Sequence, residues 1–598
     1  MTLWSLQISF SSAPSARKGE FAWTEAGHGC VVRLDYVQVS GTITGTPVGN
    51  PMVAAKSSGS FKFRKNSTIG AAAAEDDHHF LEKCYVDTGD LGVLTDPTNP
   101  KRIVVGRTGS GKTALLTRLK ETQPNVIEIS PFNLAVEFVS NSQVIRFFTE
   151  IGVNMDPFFK LLWRHVFTVE LIKKIHHITD RKSQGVFFNL MMKSWPEEKK
   201  EQYQFLLEHG DSFWKETDER VQDTTKKMET ELKAALSNIL GVGVDLEASN
   251  KFTNEQNIKI RSLGQEVVSK VKLKDLNRMF DLLKQELDDE SGFPYFIVID
   301  DLDQGWADES IRYKLTHALI ETIRDFQKVK HIKIVICLRT DLIERVMKQI
   351  KGPGYQEEKL KSLFLNLTWT EHQLTKLLDA RIDQLVRDSY TLATITHRDL
   401  LPKIVKQSAK DSALRYMLDR TLMRPRDLIT FFNFCIARAV DRPDITRSIL
   451  LAAEGDYSID RRRSLEQEWQ ADYPDLNEFI DFFKKRPPQF RLGDFGEGEL
   501  NEFVLGYIAR RPQPEGALGH LAYQYYNNEI GDFIFRVSMA SILYTVGFLG
   551  IKTETYTSMQ FIGIGQGMLT KDDINDNCLC SVHKMYWRAL GIHDRGAE

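Results

Sequence analysis

Gly106-Arg107-Thr108-Gly109-Ser110-Gly111-Lys112-Thr113 is a complete phosphate-binding loop, set in the context that such a loop requires. Ile103-Val104-Val105 before it reads as a short buried strand, and Ala114, Leu115, Leu116 and Leu119 after it recur at helical spacing. Strand, glycine loop and helix in that order turn a pattern into a mechanism. The glycines let backbone N–H groups curl around phosphate oxygens, and the helix start adds the positive end of its dipole. The stretch from Gly106 to Ala114 would cradle a polyphosphate. Lys112 would reach its β- and γ-phosphates, and the Thr113 hydroxyl would hold Mg²⁺. The plain alternative is a glycine turn followed by a solvated lysine, and the flanking pattern argues against it.

A second apolar run, Phe296-Ile297-Val298-Ile299, ends in Asp300 and Asp301. The first carboxylate would hold Mg²⁺ through its water shell, and the second would orient and deprotonate an attacking water. One acid suffices for a metal, so two suit hydrolysis; an acidic turn capping a strand is the alternative. Arg339 follows the strand run Ile332 to Leu338. Strand ends face the ligand crevice in open parallel sheets, so Arg339 is placed to sense the γ-phosphate. Pairing with Asp341 at the next helix start is its other role. Arg424-Pro425-Arg426 opens an apolar helix. A positive helix start gains nothing from arginine, which points to a phosphate reached from a lid. Arg345 is a weaker candidate, for a finger acting across a subunit boundary.

Strand runs at residues 103–105, 125–129, 295–299, 332–338 and 363–367 alternate with helical patterns. That alternation predicts an α/β core, a five-stranded parallel sheet with helices on both faces. The expected organisation is a disordered leader at 1–66, an ATPase core at 67–370 and a helical lid at 371–445, followed by a mixed C-terminal region at 446–598. A long helical insertion interrupts the core at about 135–290. Within it, Trp214, Val221, Met228 and Ala235 recur every seven residues, as a stripe packed in its own domain or a short coiled coil. Met52 offers an alternative start that would make the leader a gene-calling artefact.

The 598 residues carry a net charge of −3, with 42% hydrophobic and 27% charged residues, so any nucleic-acid contact must rest on a local patch. Six cysteines are too sparse for a disulfide scaffold. Cys578-Leu579-Cys580 with His583 lacks the usual zinc spacing. No stretch reads as a membrane span or a secretory signal, which makes the cytoplasm the default location and excludes a membrane partner. Arg461-Arg462-Arg463 and Lys484-Lys485-Arg486 could contact a phosphate backbone, although charge runs are more often solvated surface.

Together, GRTGSGKT, FIVIDDLD, VICLRT and RPRDL resemble AAA+ and STAND-type P-loop ATPases, in the origin-recognition-like and KAP-like neighbourhood, including an uncharacterised bacterial family. The resemblance covers roughly residues 70–445. It implies ATP and Mg²⁺ as cofactors, a sensor-1 role for Arg339 and a sensor-2 role for Arg424 or Arg426. It also implies a setting in bacterial antiviral defence. The insertion is longer than in a minimal core, and the transmembrane insertion of many KAP-type proteins is missing. The C-terminal third looks like a helical region ending in a winged-helix-like unit built from Phe533–Thr545, Gly547–Lys552 and Cys578–Trp587.

Four functions follow from these residues. The leading one is a regulatory ATPase switch in which ATP and Mg²⁺ close lid against core, with a homo-oligomer as one possible form. The second is a DNA-handling ATPase of loader or repair type, binding DNA or a protein through the C-terminal domain. A small-molecule kinase is the third, opposed by the paired acids and the arginine-bearing lid. The fourth is a scaffold that binds nucleotide without hydrolysing it.

Overall fold

The structure, a computed structural model, describes residues 61–131, 143–175, 293–303, 309–349, 360–390, 394–403, 412–554, 557–562 and 569–593. It also describes three strands within the first 60 residues and isolated helical positions between 230 and 287. The stripe at Trp214, Val221 and Ala235 lies outside the described residues.

The chain divides into two compact units, Met1–Gly59 and Ser60–Glu598. In the first, β1 (Gln7–Ser9), β2 (Glu20–Glu25) and β3 (His28–Val32) form an antiparallel sheet in that order. Between β2 and β3, Phe21 pairs with Val32 and Trp23 with Cys30, and aromatic and β-branched residues favour such strands. Phe63 is fully buried, and its N–H donates to the Arg442 carbonyl at 2.9 Å, so residues 61–66 belong to the main body.

In the second unit α1 (His78–Cys84) and α2 (Asp90–Thr95) precede the expected parallel sheet, and α4 (Gln143–Glu150) follows its second strand. The strands of this sheet are β4 (Ile103–Val105), β5 (Val126–Ile129), β6 (Tyr295–Ile299), β7 (Ile332–Leu338) and β8 (Phe364–Asn366). They lie in the order β5-β6-β7-β4-β8, every neighbouring pair parallel. Strand periodicity sends alternate residues to opposite faces. Ile103, Val105, Ile297, Ile299, Ile334 and Ile336 enter one core, with α5 (Asp156–Ile175), α6 (Glu309–Phe326) and α7 (Thr340–Gln349). Val104, Phe296, Val298, Val335 and Cys337 enter the other, with α3 (Lys112–Thr122). This is an α/β P-loop NTPase core. Phe158, Leu162 and Val166 of α5 bury against the sheet core, so the start of the expected insertion belongs to the core itself.

Beyond β8 the chain is largely helical: α8 (Glu371–Ser389), α9 (Pro425–Arg438) and α10 (Arg447–Trp469). Then come β9 (Gln489–Arg491), α11 (Glu497–Arg510), α12 (Gly516–Tyr526), α13 (Asp532–Thr545), β10 (Leu549–Lys552) and β11 (Leu579–Val582). The three late strands form an antiparallel sheet in the order β10-β11-β9. The residues expected as a separate lid and C-terminal domain share one apolar core, running from Leu374 through Phe431 and Tyr457 to Phe548 and Tyr586. Among the described residues, no helix is long and apolar enough to cross a membrane.

Candidate nucleotide-binding site

The loop owes its shape to glycine. Gly109 and Gly111 take φ of +78° and +97°, the left-handed region that glycine enters without steric cost. A Cβ on Gly109 would also stand 2.7 Å from the Arg426 Cβ, so close approach excludes any side chain there. Lys112, the first residue of α3, extends its ammonium back over the loop and donates to the carbonyls of Gly106 and Arg107 at 3.0 and 3.2 Å. The loop is braced from β8's far end: the Trp369 indole N–H donates to the Ser110 carbonyl at 2.8 Å.

The two motifs meet in space. The Thr113 hydroxyl donates to Asp300 Oδ2 at 3.0 Å. Asp300 Oδ1 accepts the Asp301 backbone N–H at 3.0 Å. Asp301 itself sits at φ +59°, where a non-glycine residue costs about 1–2 kcal/mol, a cost that aspartate meets more readily than most. Such local strain is typical of functional turns. Burial pushes the Asp300 carboxyl above its ordinary pKa and the neighbouring Asp301 charge adds to this, against the opposing bonds from Asp301 N–H and Thr113 and the Lys112 charge.

Thr108, Gly109, Gly111, Lys112, Thr113 and Ala114 line one cavity of about 300 Å³ together with Asp300, Asp301 and Arg426. The oxygens of Thr113 and Asp300 are the hard ligands that Mg²⁺ takes. Ser110 Oγ, in the loop, is buried and has no hydrogen-bond partner among the described residues. Donor set and glycine cradle both fit a Mg²⁺-nucleotide.

Three expected residues fall elsewhere. Arg107, Arg339 and Arg424 do not line this cavity but a neighbouring one. Arg424 is held by the buried Asp427 at 2.9 and 3.0 Å and donates to the Thr108 carbonyl at 2.9 Å, which draws it behind the loop. Arg339 stands 3.0 Å from Asp341, 3.6 Å from Glu468 and 3.7 Å from Asp303. Its strand, β7, lies between β4 and β6, so it is still centred between loop and acids. Arg345 is no exposed finger: it bonds Asp472 at 2.6 Å and the Tyr313 hydroxyl at 3.0 Å within its own chain.

The basic clusters do not present uniform positive faces. Consecutive helical residues are rotated by about 100°, so three arginines in a row cannot share a face. Arg461 turns inward to Asp427 and Asp460, while Arg462 pairs with Glu466 and Asp481. Arg486 pairs with Glu499 and lies over Phe482. Cys578 and Cys580 are buried and unpaired, in the β11 core.

Sequence reasoning missed the cavity's upper wall, formed by Ala71, Ala72, Asp77 and Arg381. Arg381 and Asp77 form a buried ion pair, and Arg381 also donates to the Ile69 carbonyl at 2.9 Å. The alanines offer no chemical signal. Arg381 was visible only as a cation on an apolar helix face.

Residues 372–466, from α8 through most of α10, match the family model of the FunZ-associated C-terminal helical domain. The 80.3 kDa protein of transposon gamma-delta from Escherichia coli (strain K12) is 22% identical over 552 residues, covering 88% of this chain and 68% of that protein. Among solved structures, the Walker-type ATPase of Pyrococcus abyssi is 10% identical, covers 82% of this chain and 95% of its own, and has a TM-score of 0.33. Cdc6p from Pyrobaculum aerophilum is 12% identical, covers 86% and 96%, and has a TM-score of 0.28. The ORC2 protein of Aeropyrum pernix is 9% identical, covers 87% and 92%, and has a TM-score of 0.31. TM-scores this low carry no functional weight, so the site geometry stands on its own.

Proposed function

We propose that this protein is a Mg²⁺-dependent ATP-binding and ATP-hydrolysing switch. The observation that carries the reading is the Thr113–Asp300 hydrogen bond, which joins the phosphate loop to the paired acids on one cavity. In that cavity Lys112 neutralises the β- and γ-phosphates, and Thr113 and Asp300 position the metal. Mg²⁺, when bound, withdraws charge from the transferring phosphoryl group. Asp301, displaced from the metal side by its left-handed turn, accepts a proton from the attacking water. Arg426 packs its side chain on Gly109 and supplies positive charge from α9, the sensor role that the resemblance implies. Arg339 reaches the phosphate only after leaving its three carboxylates, which makes it a residue of a closed state. Antiviral defence is the setting the resemblance implies, and the chemistry is the same in any setting.

The order β10-β11-β9 with α11 to α13 ahead of the β10–β11 pair supports a winged-helix-like unit. It favours a protein contact over DNA. Arg536, the sole basic residue of α13, is buried against Asp576 at 2.8 and 2.9 Å, whereas Phe533 and Ile534 are half-exposed. A groove-reading helix needs free cations and polar groups. Steady-state phosphate release by the wild type, set beside Lys112→Ala and measured with and without DNA, tests both readings. No release from the wild type leaves a nucleotide-binding scaffold, and DNA-stimulated release restores the DNA-handling function.

A further inference from the structure

A second cavity, of about 630 Å³, lies behind the phosphate loop and is lined by five arginines: Arg107, Arg339, Arg424, Arg426 and Arg461. Glu468 and Asp303 are the carboxylates on its wall. Thr108 and Arg426 border both cavities, so the loop and one lid arginine form a shared partition.

The arginines are unequally partnered. Arg424 and Arg461 both lean on the buried Asp427, and Arg339 is shared among Asp341, Glu468 and Asp303. Among the described residues, Arg107 donates to the Val546 carbonyl at 2.8 Å and its buried Nη1 has no partner. Arg426 donates to the Ala72 carbonyl at 3.2 Å. Neither of these two guanidiniums has a carboxylate in its ion-pair contacts among the described residues. Burial, and then the Arg424 charge, disfavour the charged form of both. Burial alone would raise the Glu468 pKa, yet the surrounding Arg424, Arg107 and Arg339 charges hold it below the ordinary range. An ion network that served only to staple domains would need neither a cavity nor cations without a carboxylate in direct contact.

We propose that this arginine chamber is a second anion site, distinct from the nucleotide cavity, that takes a phosphate-class ligand. Its occupant carries one or two phosphoryl groups: inorganic phosphate leaving the nucleotide cavity through the shared partition, or a small phosphorylated molecule from solution. Planar guanidiniums from four directions suit a tetrahedral oxyanion, which accepts bidentate pairs on several edges. The chamber also joins the phosphate loop to α10 and, through Arg107 and Val546, to the end of α13. Phosphate supplied in solution would reach the chamber even in a chain that bound nucleotide without hydrolysing it.

The test uses the full chain carrying Lys112→Ala, which removes phosphate binding at the loop. Titration calorimetry with inorganic phosphate and with pyrophosphate should show saturable binding, weakened about tenfold or more by Arg461→Gln and by Arg107→Gln. Arg107→Gln is the safer variant, because it leaves no buried carboxylate without a cation, and circular dichroism verifies its fold. In the wild type turning over Mg²⁺-ATP, phosphate appearing later than ADP, with the lag abolished by Arg107→Gln, identifies released phosphate as the occupant. Binding without such a lag identifies a ligand from solution. Absence of saturable phosphate and pyrophosphate binding in Lys112→Ala, or binding indifferent to both arginine variants, overturns the proposal.

Discussion

The Thr113 hydroxyl donates to Asp300 Oδ2 at 3.0 Å although 187 positions of chain separate the two residues. Parallel pairing of β4, β7 and β6 brings them together: both residues follow the carboxyl ends of the two strands that flank β7, where loops converge on one crevice.

Lys112→Ala should lower ATP turnover by about a hundredfold or more, the usual cost of removing one preorganised charge from a transferring phosphoryl group. Thr113→Val should leave nucleotide affinity without metal nearly intact while abolishing its Mg²⁺ dependence. Phosphate release and fluorescent-nucleotide binding with and without Mg²⁺ read the two effects, and a fully active Lys112→Ala protein would refute the site.

Asp300 titrates above its ordinary value because it is buried. The folded state therefore favours the protonated form, and the ionised carboxylate lowers stability at every pH above the unfolded value, neutrality included. Asp300→Asn should raise the melting temperature of the nucleotide-free protein at pH 7 and remove Mg²⁺-stimulated binding. In the wild type, Mg²⁺-dependent binding should fade on acidification at a higher pH than an ordinary aspartate would set. A melting temperature lowered by Asp300→Asn counts against this account.

Asp77 and Arg381 form an ion pair with only 5% and 3% of each residue exposed. Asp77→Ala strands the guanidinium and should destabilise the fold by about 3–5 kcal/mol. Urea unfolding followed by tryptophan fluorescence measures the change; a loss below about 1 kcal/mol, the range of surface pairs, would show that water replaces the carboxylate.

Burial lowers the His583 pKa to about 3 from 6.5. The unfolded chain binds the proton more tightly, so stability should fall as pH drops from about 6.5 towards 3 and hold level above that window. His583→Gln should flatten the slope there. Denaturant midpoints at a series of pH values check it, and an unchanged slope would assign the acid lability to other groups.

The half-exposed start of α13 makes a further distinction measurable. Phe533→Glu on the half-exposed start of α13 should leave turnover and folding unchanged, because the residue touches neither cavity. If α13 meets a protein, the same change should abolish that contact in a pull-down with the purified partner.

Much of the core was legible in advance because buried parallel strands must be apolar on both faces. Ile332 to Leu338 is buried at every position, and its sequence bounds and structural bounds coincide. The phosphate loop was legible for a different reason: Gly109 and Gly111 occupy backbone conformations that other residues resist. The arginines were not. A side chain as long as arginine reaches about equally well to several partners, and its choice rests on which carboxylates the fold buries nearby. Asp427, wholly buried, draws Arg424 and Arg461 behind the loop, while Arg426, two residues from Arg424, faces the nucleotide cavity.

The sequence by itself determined the sheet, the phosphate cradle and the acid pair, since each is encoded within a few adjacent residues by local sterics and hydrophobic periodicity. Tertiary structure alone decided that Ala71 to Asp77 wall the cavity, that Arg345 is tied to Asp472, and that five arginines from four segments surround one chamber. Those relationships depend on packing between distant stretches, and long-range burial, unlike backbone preference, leaves no mark on any single stretch of chain.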